Sequence, residues 1–349
     1  MGNLCSNAKN NHSLGHWDDE DVDEGWPRTE EELQEEYRRY SKGKSVLNLD
    51  DYDAVGTDKP GAKPRKRKKT KLETHCGYMI SAISELARTK QIHVKNDGTG
   101  DRLRILDVGC GSGEITVDVA EMFPEAQIIG LDVSAAMLES AKVYAERRGV
   151  KNVEFVKGSV FDLESLLKSN GDEQLEGRTG GKFDVVYTHQ VVAHLSDPVR
   201  GLEKMVEIVQ KGGVICLREG DLRSGRFWPG GDYDELQECF RTIVKVHEGN
   251  GGTADAGRRL RSWLEEAGVN DKEILASTNV ASYDSPEGRR EYGGHWPGRC
   301  MQGLFADRAM EMGVSSETPE KWAMAWKDWI EDEDAAFAMM HGEVIARIT

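Results

Sequence analysis

Three glycines stand at the spacing of a nucleotide-binding loop. The stretch LDVGCGSG (Leu106–Gly113) places Gly109, Gly111 and Gly113 directly after a short apolar run. A glycine-rich turn between a strand and a helix brings backbone N–H groups close to a nucleotide. The dinucleotide fingerprint would place its third glycine one residue later, at Glu114. The spacing therefore indicates a nucleotide-like cofactor and departs from the usual NAD pattern.

Two carboxylates favour a cationic cofactor. Asp107 lies two residues before Gly109, and we expect it to direct its carboxylate into the cofactor cleft. A pyrophosphate would be repelled there, whereas the ammonium and sulfonium groups of S-adenosylmethionine would be attracted. Asp132, 19 residues after Gly113, is placed to accept both ribose hydroxyls, and Met137 to contact the adenine. Taken singly, Asp132 could cap a helix and Met137 could pack in a core; together they predict S-adenosylmethionine.

Methyl transfer from this cofactor is an in-line displacement, which needs alignment and, for carbon or phenol acceptors, a base. A thiolate or an amine acceptor needs none. His189 directly follows the run FDVVYT and is the first candidate for the base and for the group that faces the methyl; His194 and Glu219 are further candidates. The alternative roles are structural: loop hydrogen bonding for His189, packing for His194 and an internal ion pair for Glu219. Other candidates near the predicted strand ends are Arg218, Asp221, His341 and Glu343.

Short apolar runs alternate with helix-sized segments. The predicted strands are Leu103–Val108, Gln127–Leu131, Val153–Val156, Phe183–Tyr187, Val214–Leu217 and Ile274–Ser282. Between them lie helical patterns such as Pro198–Val209 and Ser134–Arg148, the latter with Ser134 as its N-cap and Gly149 behind it. The order predicts a doubly wound parallel sheet of the Rossmann-like α/β class. The last apolar run, Glu343–Ile348, is typical of a closing strand.

Composition limits the class of protein. No run in the 349 residues approaches the roughly 18 apolar residues of a membrane span, and no apolar signal region follows the start, so we expect a cytoplasmic protein. Six cysteines without a CxxC pair predict reduced thiols and no metal site. A net charge of −16 argues against stable nucleic-acid binding. The oligomeric state stays open.

Residues 1–70 are predicted to be a charged, disordered tail. Asp18–Glu24 is almost entirely acidic, and Lys63–Lys71 is almost entirely basic. The opening MGNLCS fits N-myristoylation of Gly2, and Cys5 is available for palmitoylation. Peripheral membrane contact through this lipidation, nuclear entry through the basic cluster and a solvated tail all remain open.

At this point the chain resembles the class I S-adenosylmethionine-dependent methyltransferases. ILDVGCGSG is similar to their first motif, GLDVS to their second and GSVFD (Gly158–Asp162) to their third, where Ser159 replaces the usual aspartate. The resemblance implies that Ser159, Val160 and Asp162, or the backbone, contact the adenine. Three longer segments resemble the ubiquinone/menaquinone-biosynthesis-type methyltransferases of microbes and fungi, many of which act on small molecules: Phe183–Asp221, Ala256–Gly268 and Trp326–Val344.

The resemblance also implies a seven-stranded sheet whose last strand is antiparallel. It predicts a methyltransferase core over residues 71–284, a helical lid insertion over 285–337 and the closing strand of the core over 338–349.

Two aromatic, glycine-containing loops carry a further expectation. Arg226–Gly231 and Gly293–Arg299 suit a lid that closes over an apolar acceptor and excludes water, with ordinary turn packing as the alternative. The tryptophans Trp322, Trp326 and Trp329, one helical turn apart, predict a core-facing stripe.

Three functions fit this pattern. The first is S-adenosylmethionine-dependent transfer of a methyl group to a small-molecule acceptor. The second is a protein or RNA methyltransferase that is recruited through the charged tail. The third is a cofactor-binding regulator without turnover, which ranks last because Asp107, the glycines and Asp132 are all present.

Overall fold

The computed structural model describes residues 70–97, 102–167, 181–228 and 234–349. The predicted tail up to residue 69, with its charged segments and the lipidation pattern at Gly2 and Cys5, lies outside the described residues. Among the helices of the described ranges, none combines the length and the hydrophobicity that a bilayer crossing demands.

A mixed sheet forms the centre of the described part of the chain. Its eight strands are β1 Arg104–Val108, β2 Gln127–Asp132, β3 Val153–Lys157, β4 Phe183–His189, β5 Val209–Gly220, β6 Arg226–Trp228, β7 Ile274–Tyr283 and β8 Ala336–Arg347. The order is β3-β2-β1-β4-β5-β8-β6, and β7 also pairs with β8. Strands β1 to β5 are parallel, whereas β8 runs antiparallel to β5, β6 and β7. The predicted fold class is confirmed, with the short β6 in addition to the seven strands expected.

Helices cover both faces of this sheet. In chain order they are α1 Lys71–His75, α2 Gly77–Asp97, α3 Glu114–Met122, α4 Ala135–Arg148, α5 Pro198–Ile208, α6 Asp234–Gly249, α7 Ala256–Glu266, α8 Pro286–Gly293, α9 Trp296–Met301, α10 Leu304–Glu311 and α11 Thr318–Glu331. Ser134 caps α4 as predicted, since its hydroxyl accepts a hydrogen bond from the Met137 N–H. Helices α1 and α2 follow each other directly, with a break at Cys76.

Two strands are longer than the sequence predicts. Strand β5 begins at Val209, where its pairing with β4 contains an irregularity between Phe183 and Val185. The first part of β5 contains polar and glycine residues, whose strand propensity is low, so the sequence pattern does not predict it as a strand. Strand β8 begins at Ala336 because residues 336–338 pair with β6 and residues 337–346 pair with β7, although alanine and methionine are typical helix formers.

Alternate side chains of the central strands enter different cores. Leu106 of β1 and Val186 of β4 belong to the core below α5 and α7, whereas Ile105 and Val185 belong to the core below α1, α2 and α3. This is the period-two pattern of a sheet that is covered on both faces.

A separate aromatic core holds the segment between β7 and β8. Trp322, Trp326 and Trp329 are fully buried there, as the predicted stripe requires, and Phe227 and Phe337 pack against them. Helices α8 to α11 therefore share this core with α6, β6 and β8.

Candidate active site

The glycine loop joins β1 to α3 through three left-handed residues. Gly109, Gly111 and Gly113 have φ angles of 73°, 54° and 77°. A Cβ atom on Gly109 would lie 2.4 Å from Val191 Cγ2, whereas one on Gly111 would meet no atom within 4 Å. Gly109 is thus required by backbone angle and packing together, and Gly111 borders open space in which a cofactor can approach the backbone.

Asp107 lies beneath this loop rather than in the cleft. Its side chain is 3% exposed, and Oδ2 accepts hydrogen bonds from Thr116 Oγ1 at 2.6 Å and from the Tyr187 hydroxyl at 2.8 Å. Burial raises the pKa of Asp107 to about 7, against the opposing effect of these two hydrogen bonds. Asp107 and Tyr187 are partners in the β1–β4 register, so their side chains share one face of the sheet. The expectation of a carboxylate pointing into the cleft is corrected: Asp107 ties β1 to α3 and β4.

Asp132 connects the loop to the next helix. Its Oδ2 accepts a hydrogen bond from the Gly111 N–H and its Oδ1 from the Ser134 N–H, both at 2.8 Å. Ser134, and not Asp132, is the N-cap of α4. Because a carboxylate oxygen has two lone pairs, each oxygen of Asp132 keeps one for a ribose hydroxyl. The structure thus brings Gly111 and Asp132 together beside Met137, which is half-buried in the first turn of α4.

The third motif folds against the end of β2. The Gly158 N–H donates to the carbonyl of Asp132 at 3.1 Å. The Ser159 hydroxyl accepts from the Phe161 N–H at 3.2 Å, and Val160 is buried. Asp162 is exposed at a kink of the short 3₁₀ helix. Ser159 therefore starts this helix, and the Asp162 side chain faces solvent.

A cavity of about 250 Å³ opens beyond the glycine loop. It is lined by Lys71, His75, Glu114, Ile115, His189, Gln190, Tyr283 and Glu291. Glu114 and Ile115 are the first residues of α3, directly after the loop. The wall thus combines four distant parts of the chain: α1, the loop–α3 junction, the end of β4, and the segment from the end of β7 to α8.

His189 is the predicted catalytic residue that lines this cavity. Its Nδ1 lies 3.4 Å from Cys76 Sγ, and the centroid of its ring is 5.7 Å from that of His75. Burial, followed by the charge of Arg218, lowers the pKa of His189 well below its usual value. The imidazole is therefore neutral at physiological pH, and in the tautomer whose Nδ1–H faces Cys76 Sγ, Nε2 is the nitrogen that can accept a proton.

An ionic bridge crosses the cavity. Glu291 of α8 contacts Lys71 Nζ, and its Oε1 lies 3.8 Å from His75 Nε2. The interaction with His75, followed by that with Lys71, lowers the pKa of Glu291 to about 2. None of these residues is among the predicted site residues. The sequence carried one usable signal for α1, since Thr70 and Glu73 form a capping box.

Comparison with known proteins identifies the domain. The family described as "Methyltransferase domain" matches residues 100–268, which include the glycine loop, Asp132 and His189. The chain carries a class I S-adenosylmethionine-dependent methyltransferase domain. The predicted enzyme class and cofactor are confirmed.

Several curated proteins are similar to this methyltransferase. An uncharacterized methyltransferase of Schizosaccharomyces pombe is 29% identical and aligns over 69% of this chain and 83% of its own length. A probable methyltransferase of Aspergillus luteorubrus is 24% identical over 69% and 84% of the two chains. The demethylmenaquinone methyltransferase of Lactococcus lactis is 33% identical over 38% and 48%. Among solved structures, a Haemonchus contortus phosphoethanolamine N-methyltransferase has 14% identity, covers 75% of this chain and 53% of its own, and has a TM-score of 0.41, too low to support an inference.

Two predicted catalytic residues of the methyltransferase lie outside the cavity lining. Glu219 is fully buried, and its Oε1 accepts hydrogen bonds from the Val191 N–H at 2.8 Å and the Val192 N–H at 2.7 Å. Burial raises the pKa of Glu219 to about 7. His194 is exposed, and its ring meets the His247 ring edge-on at 5.0 Å. Glu219 therefore holds the turn after β4, and His194 belongs to that turn rather than to the cavity.

The other charged candidates form internal contacts. Arg218 Nε donates to Glu343 Oε1 at 3.2 Å, and both side chains are buried, as the ion-pair alternative expects. Asp221 accepts a hydrogen bond from Arg258 Nε at 2.7 Å. His341, 1% exposed, lies behind the cavity wall with its Nε2 at 3.2 Å from the amide nitrogen of Gln190.

Apart from Trp228, which is exposed, the aromatic side chains of the two loops pack instead of facing an acceptor. Phe227 packs on Phe337 with a centroid distance of 4.6 Å, and Trp296 stacks on Trp326 at 5.8 Å. Residues 229–231 lie outside the described residues. The wall of the cavity is mostly polar, contrary to the expected apolar acceptor site. Within the described ranges, no three His, Cys, Asp or Glu residues gather closely enough to hold a metal ion.

Proposed function

We propose that this enzyme transfers the methyl group of S-adenosylmethionine to a small-molecule acceptor held beside His189. The cavity of about 250 Å³ carries this proposal, because it connects the start of α3 to a neutral histidine at the end of β4. A space of this size suits the reactive end of a small molecule. Relatives support the same class, since their names refer to demethylmenaquinone, aklanonic acid and ubiquinone biosynthesis.

The cofactor would bind along the neighbouring edge. Gly111 offers open space beside its backbone, Asp132 offers lone pairs to the ribose hydroxyls, and Met137 offers a polarisable surface to the adenine. Ser159, Val160 and Asp162 complete the adenine side. Asp107 acts beneath the loop by holding it in place, not by direct contact.

The reaction itself requires alignment. A lone pair of the acceptor forms a bond to the methyl carbon while the carbon–sulfur bond breaks, and sulfur keeps that electron pair and becomes neutral. Alignment of the two reactants can lower the barrier by about 7 to 11 kcal/mol. When the acceptor atom carries a proton, His189 Nε2 takes it.

The segment 285–337 would serve as the lid over this site, with residues 71–284 and 338–349 forming the core. Glu291 supports this role, since it reaches Lys71 and His75 across the cavity. We further propose that the enzyme works in the reducing cytoplasm. Cys239 Sγ and Cys300 Sγ lie 3.8 Å apart as free thiols, which is compatible with such a compartment.

The test uses the full chain with radiolabelled S-adenosylmethionine and separate small-molecule, protein and RNA fractions of the source cells. We expect label in the small-molecule fraction, and equal transfer by a variant whose basic residues 65–69 are replaced by serine. Label confined to protein or RNA, and lost in that variant, would instead establish the tail-recruited alternative. Cofactor binding without any transfer would indicate a regulator.

A further inference from the structure

Gln190 has an unusual backbone conformation at the cavity wall. Its φ angle is +57°, and it is the one non-glycine residue with a positive φ among the residues that the structure describes. The left-handed region costs about 1 to 2 kcal/mol for a residue with a side chain. Such strain persists where the surrounding structure enforces it, and it is concentrated at functional sites.

Buried groups on both sides enforce this conformation. The Gln190 N–H donates to the carbonyl of Arg218 on β5 at 2.9 Å. The next two N–H groups, of Val191 and Val192, donate to the buried carboxylate of Glu219. The turn after β4 is thus anchored to β5 at three consecutive residues, and Gln190 is held where its side chain lines the cavity.

The side-chain amide of Gln190 has a defined orientation. Its Nε2 lies 3.2 Å from His341 Nε2, and because an amide nitrogen only donates, the imidazole nitrogen must accept. Burial, followed by the charge of Arg218, lowers the pKa of His341 to about 3, so His341 is a neutral acceptor at physiological pH. With one N–H of the amide engaged by His341, the carbonyl oxygen of Gln190 is the acceptor that this side chain offers to a ligand.

The cavity therefore presents two neighbouring hydrogen-bond acceptors. One is the carbonyl of Gln190, and the other is Nε2 of His189 in the tautomer whose Nδ1–H faces Cys76 Sγ. Two acceptors suit a ligand that supplies two donors. A carboxylate or a thiolate brings lone pairs to both positions, and an amine gains nothing from a base. Two adjacent hydroxyl groups satisfy both acceptors, since one gives its proton to His189 during transfer and the other donates to Gln190.

We propose that Gln190 determines acceptor specificity by binding a second hydroxyl beside the one that is methylated, so that the substrate class is small molecules with adjacent hydroxyl groups. This inference rests on the proposed function. His341 and Arg218 are positioning residues: His341 holds the side-chain amide of Gln190, and the carbonyl of Arg218 holds its backbone N–H.

The experiment compares catechol with phenol as methyl acceptors for the full chain. Catechol has the second hydroxyl and phenol lacks it, so the ratio of their kcat/KM values isolates the contact with Gln190. We expect a ratio of about tenfold, as one net hydrogen bond of ordinary strength would give. Thiophenol serves as the acceptor that needs no base.

Two variants separate recognition from structure. Gln190→Gly removes the amide and relieves the backbone strain, whereas Gln190→Leu removes the amide and keeps the strain. We expect both variants to bring the catechol-to-phenol ratio close to one, while Gln190→Gly melts at the same or a higher temperature than the wild type. Gln190→Asn, which tolerates a positive φ but has a shorter side chain, should show a partial loss of the ratio.

Three results would overturn the inference. The first is equal kcat/KM for catechol and phenol in the wild-type enzyme, which leaves the proposed function intact. The second is a ratio that Gln190→Gly preserves, which would make Gln190 structural. The third is methylation of thiophenol without methylation of catechol. Failure of the proposed function is seen separately, as absence of label from the small-molecule fraction of the cells.

Discussion

The active site lies along one edge of the sheet and has two halves, a cofactor half and an acceptor half. The two halves are built from different parts of the chain. The cofactor half comes from one continuous stretch, in which backbone N–H groups of the glycine loop and of Ser134 donate to the carboxylate of Asp132. The acceptor half comes from α1, the turn after β4, the end of β7 and α8, which are far apart in the sequence. Side chains, not backbone groups, supply most of its wall.

This difference determines how well each half of the site tolerates substitution. A loop whose geometry depends on glycine φ angles tolerates few substitutions. A wall of side chains such as Lys71, Gln190 and Glu291 can be altered one residue at a time while the loop stays intact. Cofactor identity therefore follows from the loop, and acceptor identity follows from the wall.

The largest expected effect comes from the acceptor half. His189→Asn should lower the transfer rate to a hydroxyl acceptor by roughly 10²- to 10⁴-fold, since it removes the proton acceptor. Steady-state kinetics with S-adenosylhomocysteine release as the readout measures this. The matched control is His194→Asn, an exposed position outside the cavity lining, which should stay close to wild type. Equal losses in both variants would contradict the assignment.

The cofactor half should respond in affinity. Asp132→Ala removes the acceptor of the Gly111 and Ser134 N–H groups and the predicted ribose contact. We expect S-adenosylmethionine to bind about 30- to 1,000-fold more weakly, as lost charged hydrogen bonds imply. Isothermal titration calorimetry measures the change, with Glu139→Ala on the exposed side of α4 as the control. Unchanged affinity in Asp132→Ala would remove Asp132 from the cofactor site.

Two glycines of the loop should separate folding from binding. Gly109→Ala combines a left-handed φ with a contact at 2.4 Å to Val191, so we expect it to lower the free energy of unfolding by about 2 to 5 kcal/mol. Gly111→Ala has open space, so only the backbone penalty of about 1 to 2 kcal/mol remains, yet it should weaken cofactor binding. Urea unfolding measures the stability of both variants, and calorimetry measures their affinity for S-adenosylmethionine. A larger loss of stability in Gly111→Ala than in Gly109→Ala would contradict the difference in packing between the two positions.

The smallest effect concerns pH. The pKa of Glu219 is raised from 4.5 to about 7, so its stabilising contribution is complete below pH 4.5 and is lost as the pH rises through 7. Glu219→Gln does not titrate, and its free energy of unfolding should therefore fall less between pH 4.5 and 8, by up to roughly 3 kcal/mol. The pKa of Asp107 is also raised, so part of the fall in the free energy of unfolding with rising pH remains in both proteins. Parallel pH curves for wild type and variant would refute this role of Glu219.

Local sequence patterns predict the cofactor half well. The glycine loop, the Ser134 cap and the alternation of strands and helices follow from spacing and hydrophobic periodicity, which depend on near neighbours in the chain. Asp107 shows the limit of this reasoning. Its position at the strand tip was predictable, but the direction of its carboxylate depends on Tyr187, which is 80 residues away.

The acceptor half depends on contacts that no local pattern contains. His189 and His194 are five residues apart and equally plausible as bases, yet only the end of β4 faces the cavity. Gln190, Lys71 and Glu291 meet there because α1 and α8 pack across the sheet edge. The aromatic loops were predicted to form a lid over the acceptor. Their composition is equally suited to a packed core, and most of their aromatic side chains belong to the aromatic core beside the sheet.

The central claim is that the cofactor half and the acceptor half of the active site have separate roles. Single-turnover kinetics across a range of S-adenosylmethionine concentrations tests this claim most directly. The sequence gives His189 both a cofactor and a catalytic role, and this measurement separates them. We predict that His189→Asn lowers the limiting rate and leaves the half-saturating concentration within about threefold of wild type, whereas Asp132→Ala does the reverse. Parallel changes of both quantities in both variants would contradict a separate cofactor half and acceptor half.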